Sequence, residues 1–190
     1  MDKPVFYDTD CLECFLFADA GYILEELFSK IVIPEQVYNE LMDNITPPIV
    51  KTNFKKLKDG FVETREIHFT SQEYTTYKLI KNGFWSQTGK CCGDGESAAM
   101  ALAHLNNGIV ASNNLSDVEE YIDSLDIELI TSSMILSKAV EKDIVSENCA
   151  NALWRRMVKV GIDLPKSSFS KYYDELYERD CEKFLNEYHS

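Results

Sequence analysis

The sequence predicts an α/β fold, doubly wound, with a central parallel sheet and helices on both faces. Two patterns carry that expectation. Short apolar runs of three or four residues recur along the chain, and longer stretches with apolar residues near helical spacing fall between them. Strands that alternate with helices are joined by crossovers, which align the strands in parallel. A length of 190 residues fits one domain with a short appendage.

Residues 4–7 (Pro-Val-Phe-Tyr) end at Asp8 and read as a first buried strand. From 11 to 28, Leu12, Phe15, Leu16, Ile23, Leu24, Leu27 and Phe28 recur near a helical period, with Gly21 as a break. Residues 31–33 (Ile-Val-Ile) form a second strand. Pro34 stands where a helix starts, Val37, Leu41 and Ile45 mark its face, and Pro47-Pro48 stops it. Residues 51–60 carry Lys51, Lys55, Lys56 and Lys58, the densest basic stretch. Residues 61–69 alternate as a third strand, 71–82 suit a helix, and Asn82-Gly83 punctuates it. A loop through 89–95 opens an alanine-rich helix at about Glu96 that runs to Leu105. Residues 109–111 are a further strand, 116–124 a helix and 127–130 a last strand. Three helical segments follow, near 132–142, 146–160 and 168–188. No internal repeat interrupts the order.

Composition narrows the function classes. Thirty-two acids against nineteen lysines and arginines give a formal net charge of -13 and a pI near 4.6. A protein that simply coats nucleic acid is basic, because neutralised phosphates supply its affinity. Nucleic-acid chemistry here must come through bound cations or a local basic patch. No run approaches the ~18 apolar residues of a membrane helix. The start, Met-Asp-Lys-Pro, does not read as a secretory signal. The expected compartment is the cytoplasm, with the six cysteines reduced.

In a parallel sheet the carboxyl ends of the strands form the ligand-facing edge. Asp8 follows the first strand at once, with Asp10 two residues on. Glu40 lies in the helix after the second strand, Glu96 opens the helix after Gly93-Asp94-Gly95, and Asp117 follows the 109–111 strand within Ser112-Asn113-Asn114-Leu115-Ser116-Asp117. Four acids from four segments are thus delivered to one edge. Two charges 4 Å apart repel by roughly 4 kcal/mol at an effective dielectric of about 20. Such a cluster must hold a proton or bind a hard cation. Oxygen ligands without His or Cys point to Mg²⁺ or Mn²⁺ rather than zinc.

These segments resemble the PIN domain, a family of metal-dependent nucleases that includes the VapC-like toxins of toxin–antitoxin modules. Phe6-Tyr7-Asp8-Thr9-Asp10-Cys11-Leu12 is similar to the family's opening, Ile33-Pro34-Glu35-Gln36-Val37-Tyr38-Asn39-Glu40-Leu41 to its Pro-x-x-Val-x-x-Glu-Leu segment, and Gly95-Glu96-Ser97-Ala98-Ala99-Met100-Ala101-Leu102-Ala103 to its Gly-Glu-Ala helix. The resemblance implies a three-layer Rossmann-like domain over residues 1–165, followed at 166–190 by a C-terminal helical extension packed on the domain or on a partner. It also implies RNA cleavage with one or two divalent ions. Asp8, Glu40 and Glu96 match the first three acids. Many members carry Thr-Asp-Asp after the fourth strand; the toxin-like Thr-x-Asn-x-x-Asp pattern fits residues 112–117 better and makes Asp117 the fourth acid.

On that basis Asp8, Glu96 and Asp117 are the expected metal ligands, and Glu40 orients or deprotonates the attacking water or holds a second ion. Thr9 and Ser112 hydroxyls support the carboxylates, with Asp10, Asn113 and Asn114 as further supporting or substrate-contacting groups. RNA is the implied substrate, and an antitoxin or a second copy of the chain the implied partner. Other readings remain open. Each acid alone can serve as a turn or first-turn helix residue. The asparagines at 113 and 114 suit a PIN-fold interaction module that no longer cleaves. A flap-nuclease-like DNA enzyme lacks the further acids and the DNA-binding helical module it needs. Lysines 51–58 either steer RNA or form a solvated loop. Cys11 and Cys14 read as small core residues on a helix rather than zinc ligands, and His68, His104 and His189 share no spacing.

Overall fold

The structure, a computed structural model, describes residues 3–185; His189 and the end of the helix expected over 168–188 lie outside them. The chain order is β1 (Val5–Tyr7), α1 (Thr9–Phe17), α2 (Gly21–Leu27), β2 (Ile31–Pro34), α3 (Glu35–Met42), α4 (Pro48–Phe54), β3 (Val62–Arg65), α5 (Gln72–Lys81) and α6 (Asp94–Leu105). It continues with β4 (Ile109–Ala111), α7 (Leu115–Leu125), β5 (Glu128–Ile130), α8 (Ser132–Glu141), α9 (Glu147–Lys159), α10 (Phe169–Glu175) and α11 (Tyr177–Phe184).

The five strands form one parallel sheet in the order β3-β2-β1-β4-β5. Every residue of β1, β2, β4 and β5 is buried. That is the mark of a sheet covered on both faces, and it explains why β1, β2 and β4 read as apolar runs. The alanine-rich α6 lies against β1, β2 and β4, with α3, α5 and α7 beside it. Its alanines let this central helix approach the strands closely, and Gly95 lets α3 and α1 come against its first turn. A second group of helices, α2, α4, α8 and α9, packs around α1. The last helices close on this group: α10 against α8 and α9, α11 against α8 and β5. The architecture is the predicted α/β fold.

Three local expectations change. Pro47-Pro48 does not stop a helix. The helix α3 ends at Met42, and Pro48 begins α4, where the ring's fixed φ suits the first helical position and its missing N–H leaves no bond unmade. The third strand spans four residues rather than nine. It is an edge strand paired only with β2, and the register from Ile31↔Val62 to Pro34↔Arg65 uses up its partner. The break between α1 and α2 covers residues 18–20, with Asp19 left-handed at φ 53. Gly21 is needed for space, since a Cβ there would lie 2.7 Å from Leu57 Cδ2.

The topology places the site. From β1 the chain moves to β2 on one side and later returns to add β4 on the other, so the order reverses between β1 and β4. Ligands bind outside the carboxyl ends of strands at such a switch point. The residues delivered there are Asp8 after β1 and residues 112–114 after β4. The Asp8 N–H donates to the Ala111 carbonyl at 2.9 Å, which stitches the two strand ends together.

Candidate functional site

Asp8 is the anchor. Its Oδ1 accepts the Cys11 N–H at 2.8 Å, so the side chain caps α1. The capping role and the site role coexist, because the second oxygen, Oδ2, is buried without a hydrogen-bond partner. Asp8 is 1% exposed. Burial pushes its pKa from 3.8 up to about 8, the nearby Ser112 hydroxyl and the Cys11 amide pull it down less, and the charges of Asp10 and Glu96 add to the rise. A buried carboxylate oxygen without a donor is a costly group that a cation relieves.

Glu96 caps α6 in a related way. Its Oε2 accepts the Gly93 N–H at 3.0 Å, half of a capping box, as glycine has no side chain to return the bond. Its Oε1 accepts from Asn114 Nδ2 at 2.8 Å. Burial raises the Glu96 pKa, Asn114 and the Gly93 amide oppose that, and the charges of Asp117 and Asp10 add to it. The same Asn114 amide donates to Asp117 Oδ2 at 2.9 Å, so one side chain ties Glu96 to Asp117. Asp117 Oδ1 accepts from Ser116 Oγ at 3.0 Å and pairs with Lys90 Nζ at 2.5 Å. The Lys90 ammonium holds the Asp117 carboxyl below its usual range.

Glu40 is exposed on α3 and accepts a hydrogen bond from the Thr9 hydroxyl. Both lie against the first turn of α6: a Cβ on Gly95 would stand 2.9 Å from Glu40 Oε2, 3.1 Å from Val37 Cγ2 and 3.2 Å from Thr9 Oγ1. Glycine at 95 is thus what lets Glu40 and Thr9 sit against the first turn of α6. In Gly95→Ala the tip of Glu40 can swing away and Val37, which is buried, cannot. The added methyl also gains about 1 kcal/mol of helix propensity. The expected outcome is a melting curve within about 1 kcal/mol of wild type and a clear fall in metal-dependent RNA cleavage, checked on the same preparation.

The structure places the remaining expected residues as follows. Asp10 is exposed at the mouth of the crevice, and its charge raises the pKa of Asp8 and Glu96. Ser112 is fully buried next to Asp8. Asn113 works as a latch, its Oδ1 accepting the Ser132 N–H at 2.9 Å and its Nδ2 donating to Cys14 Sγ at 3.0 Å. Asp94 is paired with Lys81 and bonded by the Tyr77 hydroxyl. Cys11 and Cys14 are buried in the core, Cys91 is exposed and Cys92 is buried. Two neighbours were not singled out in the sequence. Glu13, one turn after Asp10, is half-buried; burial raises its pKa first, then the charges of Asp10 and Glu40. Lys90 is the other. Glu13 could have been found from its spacing to Asp10 on one helix face, whereas nothing in the sequence pairs Lys90 with Asp117.

Hard divalent cations suit this set of carboxylate and amide oxygens, and the orphaned Asp8 Oδ2 is a ready ligand. Among the described residues no three His, Cys, Asp or Glu side chains stand together as an ion-holding group. The hydrogen bonds give the reason: Asp117 is turned to Lys90, Glu40 to Thr9, and Glu96 to Gly93 and Asn114. A cleft of about 880 Å³ is lined by Asp10, Glu13, Asn113, Asn114 and the 160–165 turn, and not by Asp8, Glu40, Glu96 or Asp117. No helix among the described residues is long and apolar enough to cross a membrane.

No curated protein matches the chain. The family model DUF3368, a PIN domain, matches residues 4–178. With acids placed at the switch point of a five-stranded parallel sheet and a family match over nearly its whole length, the chain belongs to the PIN-domain family.

Proposed function

We propose that the protein is a divalent-metal-dependent endoribonuclease that hydrolyses RNA phosphodiester bonds with Mg²⁺ or Mn²⁺. PIN domains are generally metal-dependent nucleases, which supports the hydrolase class. The single observation that carries the reading is the buried Asp8 carboxylate, whose Oδ2 makes no hydrogen bond and whose ionisation burial and the neighbouring acids oppose. Such a group is tolerated where a cation completes it.

Asp8, Glu96 and Asp117 would hold the ion, which when bound supplies Lewis-acid polarisation of the phosphate and an activated water. Asn114 keeps Glu96 and Asp117 within reach of one another through its two donated hydrogen bonds. Glu40, exposed and steadied by Thr9, orients an attacking water and accepts its proton. Single-stranded RNA enters along the cleft beside Asp10 and Glu13. No Lys or Arg is among the described residues lining that cleft, so ions must offset the phosphate charge. Lysines 56 and 58 are engaged elsewhere, with Asp19 and with Glu25 and Glu26, and are a poor RNA track. In this reading the protein acts in the cytoplasm as the toxin of a toxin–antitoxin pair, with an antitoxin or a second copy of the chain as partner.

A second reading, a PIN fold that no longer cleaves and serves as an interaction module, draws on Asn113 being spent as a structural latch. Mn²⁺ titration of the melting temperature separates the two. A functional site gains about 2.7 kcal/mol at a hundredfold excess over Kd, which for this size is about 5–10 °C. Glu96→Gln should lose both that rise and cleavage of a generic single-stranded RNA. A wild-type protein that neither cleaves nor responds to millimolar Mn²⁺ would leave only the interaction module.

A further inference from the structure

The connection between α5 and α6 looks like an ordinary loop in the sequence, yet it is fastened at several points. Gly83 and Gly89 both have positive φ, and a Cβ on Gly83 would lie 2.5 Å from the Gly89 carbonyl oxygen, so the loop closes on itself through two glycines. Ser86 Oγ accepts the Thr88 and Lys90 N–H groups at 3.2 and 3.0 Å. The Ser86 and Thr88 hydroxyls both bond Glu120 on α7. The Tyr121 hydroxyl, also on α7, donates to the Lys90 carbonyl, and Cys92 Sγ donates to the Asp117 carbonyl at 3.2 Å. The main chain of Lys90 is therefore fixed on the helix that carries Asp117. From there its ammonium reaches Asp117 Oδ1 at 2.5 Å and the Ser116 carbonyl at 2.9 Å.

We propose that Lys90 is a built-in counter-ion of Asp117 that competes with the divalent ion for that carboxylate and so sets the metal concentration at which the site loads. The proposal rests on the nuclease reading above. Both oxygens of Asp117 are occupied, Oδ1 by Lys90 and Ser116 and Oδ2 by Asn114. The hydroxyl and the amide are neutral donors that can remain as supporting bonds to a ligating carboxylate. The ammonium cannot, because a second cation on the same oxygen repels the ion. Loading requires Lys90 to leave, and its half-exposed side chain has solvent to move into. Without an ion, the same contact offsets the negative charge that Asp117 presents to Glu96.

The test is the Mn²⁺ concentration giving half of the maximal rise in melting temperature, measured on the full chain. Lys90→Met should lower that concentration about two- to fivefold, the range that exposed ion pairs carry. Lys90→Arg should keep the wild-type value. Lys81→Met is the control: it removes a positive charge from Asp94, at the start of α6 but outside the proposed ligand set, and should leave the midpoint unchanged. In a Lys90→Met/Asp117→Asn double variant the gain should vanish. An unchanged or higher midpoint in Lys90→Met, or an equal shift in Lys81→Met, overturns the counter-ion role while leaving the nuclease reading intact. If neither wild type nor Lys90→Met responds to Mn²⁺ at any concentration, both are overturned.

Discussion

Asp8→Asn should abolish function and stabilise the metal-free fold at neutral to alkaline pH, two effects of opposite sign from one atom. The substitution keeps the oxygen that accepts the Cys11 N–H, so the α1 cap survives. What it removes is the charge on a fully buried group whose pKa stands at about 8 instead of 3.8. Metal-dependent cleavage should fall about a hundred- to a thousandfold, the scale of removing a group that stabilises charge at the reaction centre. Side-by-side cleavage assays check this.

The stability half of that result has a definite pH signature. Between pH 4 and 8 the folded protein retains the Asp8 proton and the unfolded chain has lost it, so the folded state binds more protons and stability falls as pH rises. With the ionisation displaced to about 8, this group alone takes about 3–4 kcal/mol from the metal-free protein between pH 5 and 8, at 1.36 kcal/mol per pH unit. The contribution is fully present below the unfolded value near 4 and is lost as pH climbs through the folded value. Asp8→Asn should flatten that slope. Burying the new amide N–H₂ costs about 1–3 kcal/mol for a donor left unpaired, so the variant gains only toward the alkaline end. Denaturant unfolding at pH 5 and pH 8 with chelator present is the measurement. Equal pH slopes in wild type and variant would show that Asp8 does not carry a displaced proton.

The placement of these acids is largely legible in the sequence because it is local. A carboxylate directly after a buried strand, an Ala-rich helix opened by Gly-Glu and a polar turn after Ile109-Val110-Ala111 each follow from short-range pattern, and parallel topology brings strand ends to one edge. What stayed hidden depends on tertiary partners. Pro47-Pro48 is equally good as a stop or as a helix start, and α4 exists because Val50 and Asn53 are buried and Asn53 Nδ2 donates to the Leu16 carbonyl at 2.7 Å. The basic run reads equally as an RNA track or a solvated loop because its counter-charges, Asp19, Glu25 and Glu26, lie some thirty residues away in sequence. Lys90 was invisible for the same reason: its partner is on another helix, and the loop geometry that aims it comes from Ser86, Glu120 and Tyr121. Asn113 and Asn114 are adjacent and alike, yet one latches α8 to α1 and the other joins two acids. Composition cannot separate them.

Trp154→Ala should be the most destabilising single change in the C-terminal half, and its effect on function should be selective. The side chain is 1% exposed, stacks on Tyr172 at 5.7 Å, meets Phe169 edge-on at 6.1 Å, and donates from Nε1 to the Lys166 carbonyl at 3.0 Å. Removing a buried indole costs about 3–5 kcal/mol, or about 6–20 °C in melting temperature for a chain of this size. Trp154→Phe keeps an aromatic ring and loses chiefly the hydrogen bond, so it should cost less, about 1–2 kcal/mol. The contacts to Lys166, Phe169 and Tyr172 pin the chain after α9, and the Ile162 N–H bonds back to the Met157 carbonyl at 3.2 Å. Together these hold the 160–165 turn that walls the cleft. The proposed metal-binding acids come from the end of β1, from α6 and from the first turn of α7 and do not depend on that turn. Below its melting temperature, Trp154→Ala should therefore raise KM for RNA while leaving the Mn²⁺ midpoint near wild type. Equal losses in both would mean that the C-terminal helices support the acids themselves rather than the cleft wall.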